Sequence, residues 1–95
     1  MAIENEEVEL VKQAKEGNLV SFEKLVRLYQ AQIRNGLALR LNVPEEADDL
    51  AQETFIVAFN RLQNFDPNMP FLPWLRGIAF NLLKNYFLCT HSSAG

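Results

Sequence analysis

Apolar residues recur at every third or fourth position along most of this chain. That spacing is the period of a helix that buries one face. The longest run predicts a helix from Leu19 or Ser21 to Leu41, and its apolar members are Phe22, Val26, Tyr29, Ile33 and Leu37. Glycine and proline number only four each, so long stretches are free of helix breakers. The pattern therefore favours an all-α fold.

Local signals place two further helices on either side of this one. Asn5 is a candidate cap for a first helix, and Gly17 is a natural end for it. Pro44 suits the first position of a third helix, where a missing N–H group costs no hydrogen bond. Two acidic residues follow Pro44, as the helix dipole favours, and this helix is predicted to run to about Leu62.

Three prolines between residues 64 and 73 exclude continuous helix in that stretch. A fourth helix is predicted to begin near Pro73 and to end at about Leu88. We therefore expect an all-α, compact bundle of about four helices. Residues 1–88 would form one domain, and residues 89–95 would be a linker or a terminal tail.

Size and composition narrow the class of protein. Ninety-five residues with 48% apolar content suffice for one core but not for two. No apolar run is long enough to span a membrane, and the acidic segment 1–9 lacks the features of a signal peptide. The lone cysteine, Cys89, excludes a disulfide within the chain. This usage fits a reducing, cytoplasmic setting.

Candidate catalytic groups are scarce. The single histidine, His91, lies in the predicted tail two residues after Cys89, and two ligands do not make a zinc site. The dense carboxylates of residues 45–53 lack the histidine partners that a di-iron bundle needs. The sequence therefore predicts a protein that is not an enzyme, with no cofactor and no metal.

Charge is distributed unevenly along the chain, whose net charge is −3. Residues 1–53 carry eleven acidic and six basic side chains, whereas residues 54–95 carry one acidic and three basic ones. One explanation for this difference is ordinary surface variation. The other is that the first half of the chain contacts a basic partner while the second half lies near phosphate.

One side of the third helix is polar. Its members share a spacing of three and four and are Asp49, Gln52, Glu53, Ile56 and Asn60. The opposite side is the predicted core stripe and consists of Leu50, Ala51, Thr54, Val57, Ala58 and Leu62. The polar side is either a solvated face or an acidic docking surface with Ile56 as its apolar anchor.

Aromatic and amide side chains alternate in the proline-rich loop and the helix after it. The loop contributes Asn64, Phe65, Asp66, Asn68, Phe71 and Trp74, and the helix contributes Arg76, Phe80, Asn81, Lys84 and Asn85. Aromatic rings fold into a core by default, but rings and amides held by prolines also suit the capture of an unstacked base. Cations and amides on one helix side suit phosphate and base contacts, or simply form an exposed surface.

These residues resemble a known family. The segments Asp-Asp-Leu-Ala-Gln-Glu-Thr-Phe at 48–55, Phe-Asp-Pro at 65–67 and Pro-Trp-Leu-Arg-Gly-Ile-Ala-Phe-Asn at 73–81 are similar to conserved region 2 of bacterial RNA polymerase sigma factors. The extracytoplasmic-function (ECF) group is the most similar. Gly17-Asn18, followed by Phe22, also fits that group's opening helix pair, so the resemblance extends over roughly residues 6–88.

The resemblance implies a role for each surface. The third-helix face would bind the clamp helices of the largest subunit of RNA polymerase. The loop from Asn64 to Phe71 would capture a flipped base of the promoter −10 element. The helix from Trp74 to Tyr86 would contact the −10 duplex and help to separate its strands. An anti-sigma factor is a further expected partner.

Two departures from the family keep an alternative open. Phe80 stands where many relatives have an arginine, and the last helix has only two cations, so we expect weak binding of isolated DNA. The family's second domain, which reads the −35 element, is not in this sequence, which fits either a fragment or a natural short relative. The alternative function is a protein-interaction module that binds polymerase or an anti-sigma factor without reading DNA. A carboxylate metalloenzyme is the third and least supported hypothesis.

Overall fold

Four helices make up most of the protein. A computed structural model describes the backbone of residues 2–94 and the side chains of residues 6–88. The helices are α1 (Ala2–Lys15), α2 (Leu19–Ala38), α3 (Pro44–Arg61) and α4 (Phe71–Ala94), with a short 3-10 turn at Leu62–Asn64 after α3. The part of the chain that the structure describes contains no strand. The prediction of an all-α bundle of four helices is confirmed.

Capping residues set the boundaries between the first three helices. Gly17 has φ 103° and ends α1, because its N–H bonds to the Ala14 carbonyl and the next N–H bonds to the Gln13 carbonyl, both at 3.0 Å. Asn18 then caps α2, since its side-chain oxygen accepts from the Ser21 N–H at 3.2 Å. Pro44 occupies the first turn of α3, as predicted.

Four predicted helix limits are wrong, and three of them are the start of α1, the end of α2 and the start of α4. The backbone of α1 is already helical at Ala2, so Asn5 is not its cap, and the Asn5 side chain lies outside the described residues. Helix α2 ends at Ala38 and not at Leu41. Helix α4 begins at Phe71, two residues before Pro73. Proline is tolerated there because the first N–H groups of a helix have no intrahelical acceptor.

The end of α4 also differs from the prediction. Its backbone stays helical to Ala94, well beyond Leu88 and through most of the predicted tail. The side chains of Cys89 and His91 lie outside the described residues. The domain limit at residue 88 stays a prediction.

The core lies where α2 packs against α1 and α3, and where α4 covers α2 and α3. Its largest fully buried side chains are Phe71, Leu25, Leu37, Leu62, Leu75, Val11 and Thr54. The Thr54 hydroxyl donates to the Leu50 carbonyl at 2.7 Å, so its burial leaves no polar atom unpaired. The predicted stripe of α3 is buried except for Val57, which is half-buried. The bundle thus holds α3 with its polar side outward.

Candidate functional site

The polar side of α3 faces solvent. All five predicted members, Asp49, Gln52, Glu53, Ile56 and Asn60, are exposed. Ile56 leaves 61% of its surface uncovered and is the apolar member of this side. The structure therefore brings these residues together on one accessible surface, which we call the α3 face.

A groove runs along one edge of the α3 face, between α2 and α3. It has a volume of about 480 Å³ and is lined by Val26, Gln30, Ala31, Arg34, Asp48, Ala51, Gln52, Phe55 and Ile56. The Arg34 guanidinium donates to the Asp48 carboxylate within it. The sequence did not predict that α2 lines this α2–α3 groove, because the groove forms only when the two helices pack together.

The aromatic residues around the loop form a cluster. The rings of Phe65 and Trp74 stack, with centroids 4.4 Å apart and an angle of 29° between planes. Phe71 lies against both, at 5.5 and 5.6 Å. Phe71 is fully buried and Phe65 is 5% exposed, whereas Trp74 is half-buried. Phe71 therefore supports the cluster from inside and offers no surface to a ligand.

A shallow pocket opens beside the stacked pair. Its volume is about 370 Å³, and it is lined by Asn64, Phe65, Asp66, Met69, Pro70, Pro73 and Trp74. Asp66 shapes the loop, since its carboxylate accepts from the Asn68 N–H and its carbonyl from the Met69 N–H, both at 2.9 Å. Asn68 is exposed beside this loop pocket without lining it. Met69 was not among the predicted site residues.

Helix α1 holds both ends of the loop. The Lys15 ammonium donates to the Phe65 carbonyl at 2.8 Å, and the Gln63 amide donates to the Lys15 carbonyl at 2.7 Å. At the other end, the Glu7 carboxylate accepts the Phe71 N–H at 3.2 Å, next to the N-terminus of α4. No local sequence signal reveals these contacts, because they join positions about fifty or more residues apart.

The same Glu7 carboxylate accepts a hydrogen bond from the Tyr29 hydroxyl. Burial, together with the hydrogen bond to Glu7 and the negative charge of Glu7, raises the pKa of Tyr29 to about 12. The Tyr29 ring lies 6.0 Å from Phe71, so this polar contact adjoins the aromatic cluster.

The residues of α4 that the sequence predicts to contact DNA after Trp74 are exposed but do not share one surface. Arg76 and Phe80 lie beside the C-terminal half of α2, around a small cavity that also touches Gly36. Asn81, Lys84 and Asn85 instead line a groove of about 430 Å³ against α3, together with Arg61. Phe80 is 43% exposed, and the guanidinium carbon of Arg40 lies 4.8 Å from the centre of its ring.

The described part of the chain contains neither a cluster of metal ligands nor a membrane-spanning helix. No three His, Cys, Asp or Glu side chains come together there as metal ligands. None of the described helices is both long and apolar enough to cross a bilayer.

Comparison with known proteins defines the family. The model of Sigma-70 region 2 matches residues 25–91. The chain is 34% identical over 88 residues to RNA polymerase sigma-H factor of Pseudomonas aeruginosa, covering 93% of this chain and 46% of that protein. It is 39% identical over 72 residues to ECF RNA polymerase sigma factor SigW of Bacillus subtilis, covering 76% of this chain and 38% of that protein. This chain thus belongs to the Sigma-70 region 2 family, in the ECF group of RNA polymerase sigma factors.

A solved structure supports the same assignment. An engineered region 2 of sigmaE, determined by NMR in complex with GTAAAA, superposes with a TM-score of 0.83 and 32% identity. The match covers 90% of this chain and 88% of that one. The chain spans less than half the length of the curated relatives named above. Sigma factors are transcription initiation factors, and this chain corresponds to the region 2 domain of such a factor.

Proposed function

We propose that this domain docks on the clamp helices of RNA polymerase and recognises and helps to melt the promoter −10 element. The loop pocket is the observation that carries this proposal. It joins an exposed amide, Asn64, to the stacked aromatic pair, in a fold whose structural neighbour was solved with the oligonucleotide GTAAAA.

The docking half of the proposal rests on the α3 face and the α2–α3 groove. The surface of the groove is mostly apolar, and Ile56 lines it close to the exposed Glu53 in the sequence. An amphipathic helix seats its apolar side in such a groove and pairs its basic residues with the acidic rim. The clamp helices of the polymerase are the partner that the family implies.

The DNA half rests on the chemistry of the loop pocket. A base that leaves the duplex loses stacking worth a few kcal/mol. Stacking against an aromatic side chain returns about 1–3 kcal/mol per base, and Trp74 is the accessible ring at this pocket. Asn64 can donate to and accept from a base edge, so it is the group that would distinguish one base from another.

Strand separation then needs no covalent step by this domain. Base capture and phosphate contacts from α4 offset the loss of pairing, while the polymerase makes the RNA. The domain is therefore proposed as a recognition module that acts without cofactor or metal, in the cytoplasm with the polymerase.

Docking is tested with a purified clamp-helix fragment. We expect Glu53→Ala to weaken binding at least tenfold, because residues at the centre of an interface dominate its affinity. Glu16→Ala is the matched control, since Glu16 is an exposed acid in the turn after α1, and it should bind like the parent. Equal loss in both variants would reduce docking to a general charge effect.

DNA recognition is tested with single-stranded GTAAAA and its permutations at low salt, observing the fluorescence of Trp74, the sole tryptophan. We expect quenching with a sequence preference that Asn64→Ala reduces about five- to tenfold. Asn42→Ala, at an exposed amide in the α2–α3 connection, is the control. Clamp binding without any DNA preference would favour the alternative, a protein-interaction module. The small number of cations on α4 is the observation that supports this alternative. Binding of neither would refute both functions.

A further inference from the structure

Arg40 lies against the DNA-facing helix without belonging to it. It follows the last turn of α2, and its guanidinium covers the ring of Phe80 on α4. We propose that Arg40 is a phosphate-binding residue for promoter DNA and that Phe80 is the platform that presents it. This inference rests on the proposed DNA-binding function and adds a residue to that surface.

Two contacts hold the guanidinium in place. One nitrogen donates to the Gly36 carbonyl at 3.2 Å, and the carbon lies 4.8 Å from the Phe80 ring centre. A guanidinium stacked on a ring is attracted by the ring's electrons and keeps its edge free. Only one of its five N–H donors is used by Gly36, so others remain available for a phosphate oxygen.

The charge of Arg40 is not neutralised within the described part of the chain. The ion pairs there join Arg27 to Glu23 and Arg34 to Asp48, and Arg40 has no carboxylate partner among residues 6–88. Its side chain is exposed. An unpaired arginine already held in one position loses less entropy when it binds an anion than a free one does.

Arg40 adds a cation to the side of α4 on which Arg76 and Phe80 lie. Arg76 and Lys84 stand four residues before and after Phe80, which places each about 6 Å along the helix axis from it. Phe80 itself has no charge and would leave a gap between them. Arg40 supplies a positive charge at that level, on the side of α4 where Arg76 lies, whereas Lys84 lies on the side that faces α3.

A purely structural role is the competing explanation. Arg40 also satisfies a carbonyl at the end of α2 and joins α2 to α4. That role predicts a loss of thermal stability and leaves the salt dependence of DNA binding unchanged. A phosphate contact predicts the reverse, because each phosphate neutralised adds about 0.7 to the slope of log affinity against log salt for single strands.

The test measures the affinity of the 95-residue chain for labelled single-stranded dodecamers of random sequence at several salt concentrations. We expect Arg40→Gln to weaken binding about three- to tenfold at low salt and to lower the slope by about 0.7. Arg40→Lys should retain most of the slope, because the charge remains. The control is Arg27→Gln, an exposed arginine of α2 that is already paired with Glu23 and should leave both values unchanged.

A second set of variants tests the platform. Phe80→Leu should weaken binding in the same direction, and the double variant with Arg40→Gln should lose little more, since the two residues act as a unit. Phe80→Arg in the Arg40→Gln background should restore affinity by placing the charge on α4 directly. Unchanged affinity and slope in Arg40→Gln, or additive losses in the double variant, would overturn the inference. A parent chain that binds no DNA would instead refute the proposed function, and the inference with it.

Discussion

Glu7 is the residue through which three separate segments meet. Its carboxylate accepts hydrogen bonds from the Tyr29 hydroxyl on α2 and from the Phe71 N–H at the start of α4, while its own backbone belongs to α1. Because a carboxylate accepts several hydrogen bonds at once, one side chain orients both the aromatic cluster and the first turn of α4.

The Tyr29–Glu7 contact makes the free energy of unfolding depend on pH in the alkaline range. The pKa of Tyr29 is raised from 10.0 to about 12, so the folded protein holds this proton more tightly than the unfolded chain. The contribution is fully present below pH 10 and is lost as pH rises towards 12. We expect Tyr29→Phe to destabilise the protein by about 1 kcal/mol at pH 8 and by less at pH 11.

Urea unfolding of parent and variant at both pH values measures this difference. The comparison cancels the titration of lysines, which both proteins share. A difference between the two proteins that stays constant from pH 8 to pH 11 would contradict the assigned contact.

Phe71 shows where a residue-scale prediction fails. The sequence places Phe71 in a loop with exposed neighbours, which suggested a contact with DNA, but its side chain is fully buried. The reason is that α4 starts at Phe71, so the ring points into the bundle from the first turn. Asn64, Trp74 and Ile56 lie on accessible surfaces, as the sequence predicted, while their contacts with DNA or polymerase stay predictions.

Helix α1 lies outside the segment that the Sigma-70 region 2 model matches, but it contacts the loop that forms the pocket. The match begins at residue 25, after the end of α1, yet Lys15 and Glu7 hold the two ends of the loop that forms the pocket. We infer that α1 positions the loop pocket in addition to covering the core.

Removing one of these contacts tests the role of α1. Lys15→Met keeps the aliphatic stem and loses the bond to the Phe65 carbonyl. We expect the emission of Trp74 to shift to the red and the affinity for single-stranded DNA to fall about two- to fivefold, because a less ordered site must be ordered on binding. Clamp binding should not change. Lys12→Met, at an exposed lysine of the same helix, is the control, and an equal effect there would contradict this role.

Replacing Gly17 and Gly77 by alanine should change the stability of the protein in opposite directions. Gly17 has φ 103°, so Gly17→Ala should destabilise the protein by about 1 kcal/mol or more. Gly77 lies inside α4 with open space where a Cβ would stand, so Gly77→Ala should stabilise it by up to about 1 kcal/mol. Thermal unfolding of both variants measures these shifts. Changes of the same sign would contradict the structural assignment of the two glycines.

At the scale of the whole molecule, one core serves both proposed surfaces. Val11, Leu25, Leu62 and Leu75 come from α1, α2, the turn after α3 and α4, and all belong to the same buried cluster. Trp74 packs against that cluster. A small domain with a single core unfolds cooperatively.

We therefore expect the far-ultraviolet circular dichroism and the Trp74 fluorescence to report one coincident transition in urea. Helix content reports the bundle, whereas the sole tryptophan reports the loop pocket. A fluorescence change well before the loss of helix would show that the loop and its α1 contacts open independently of the core.

The sequence by itself determined the class and number of the helices and the family. Local periodicity, prolines and capping residues act within a few positions, and the motifs at 48–55 and 73–81 are continuous in the chain. Only the tertiary structure decided which aromatic residues are buried, that α2 forms one wall of the α2–α3 groove and that α1 holds the loop. It also placed Arg40 over the ring of Phe80. These features depend on contacts between positions far apart in the chain, and packing of helices, not local preference, brings such positions together.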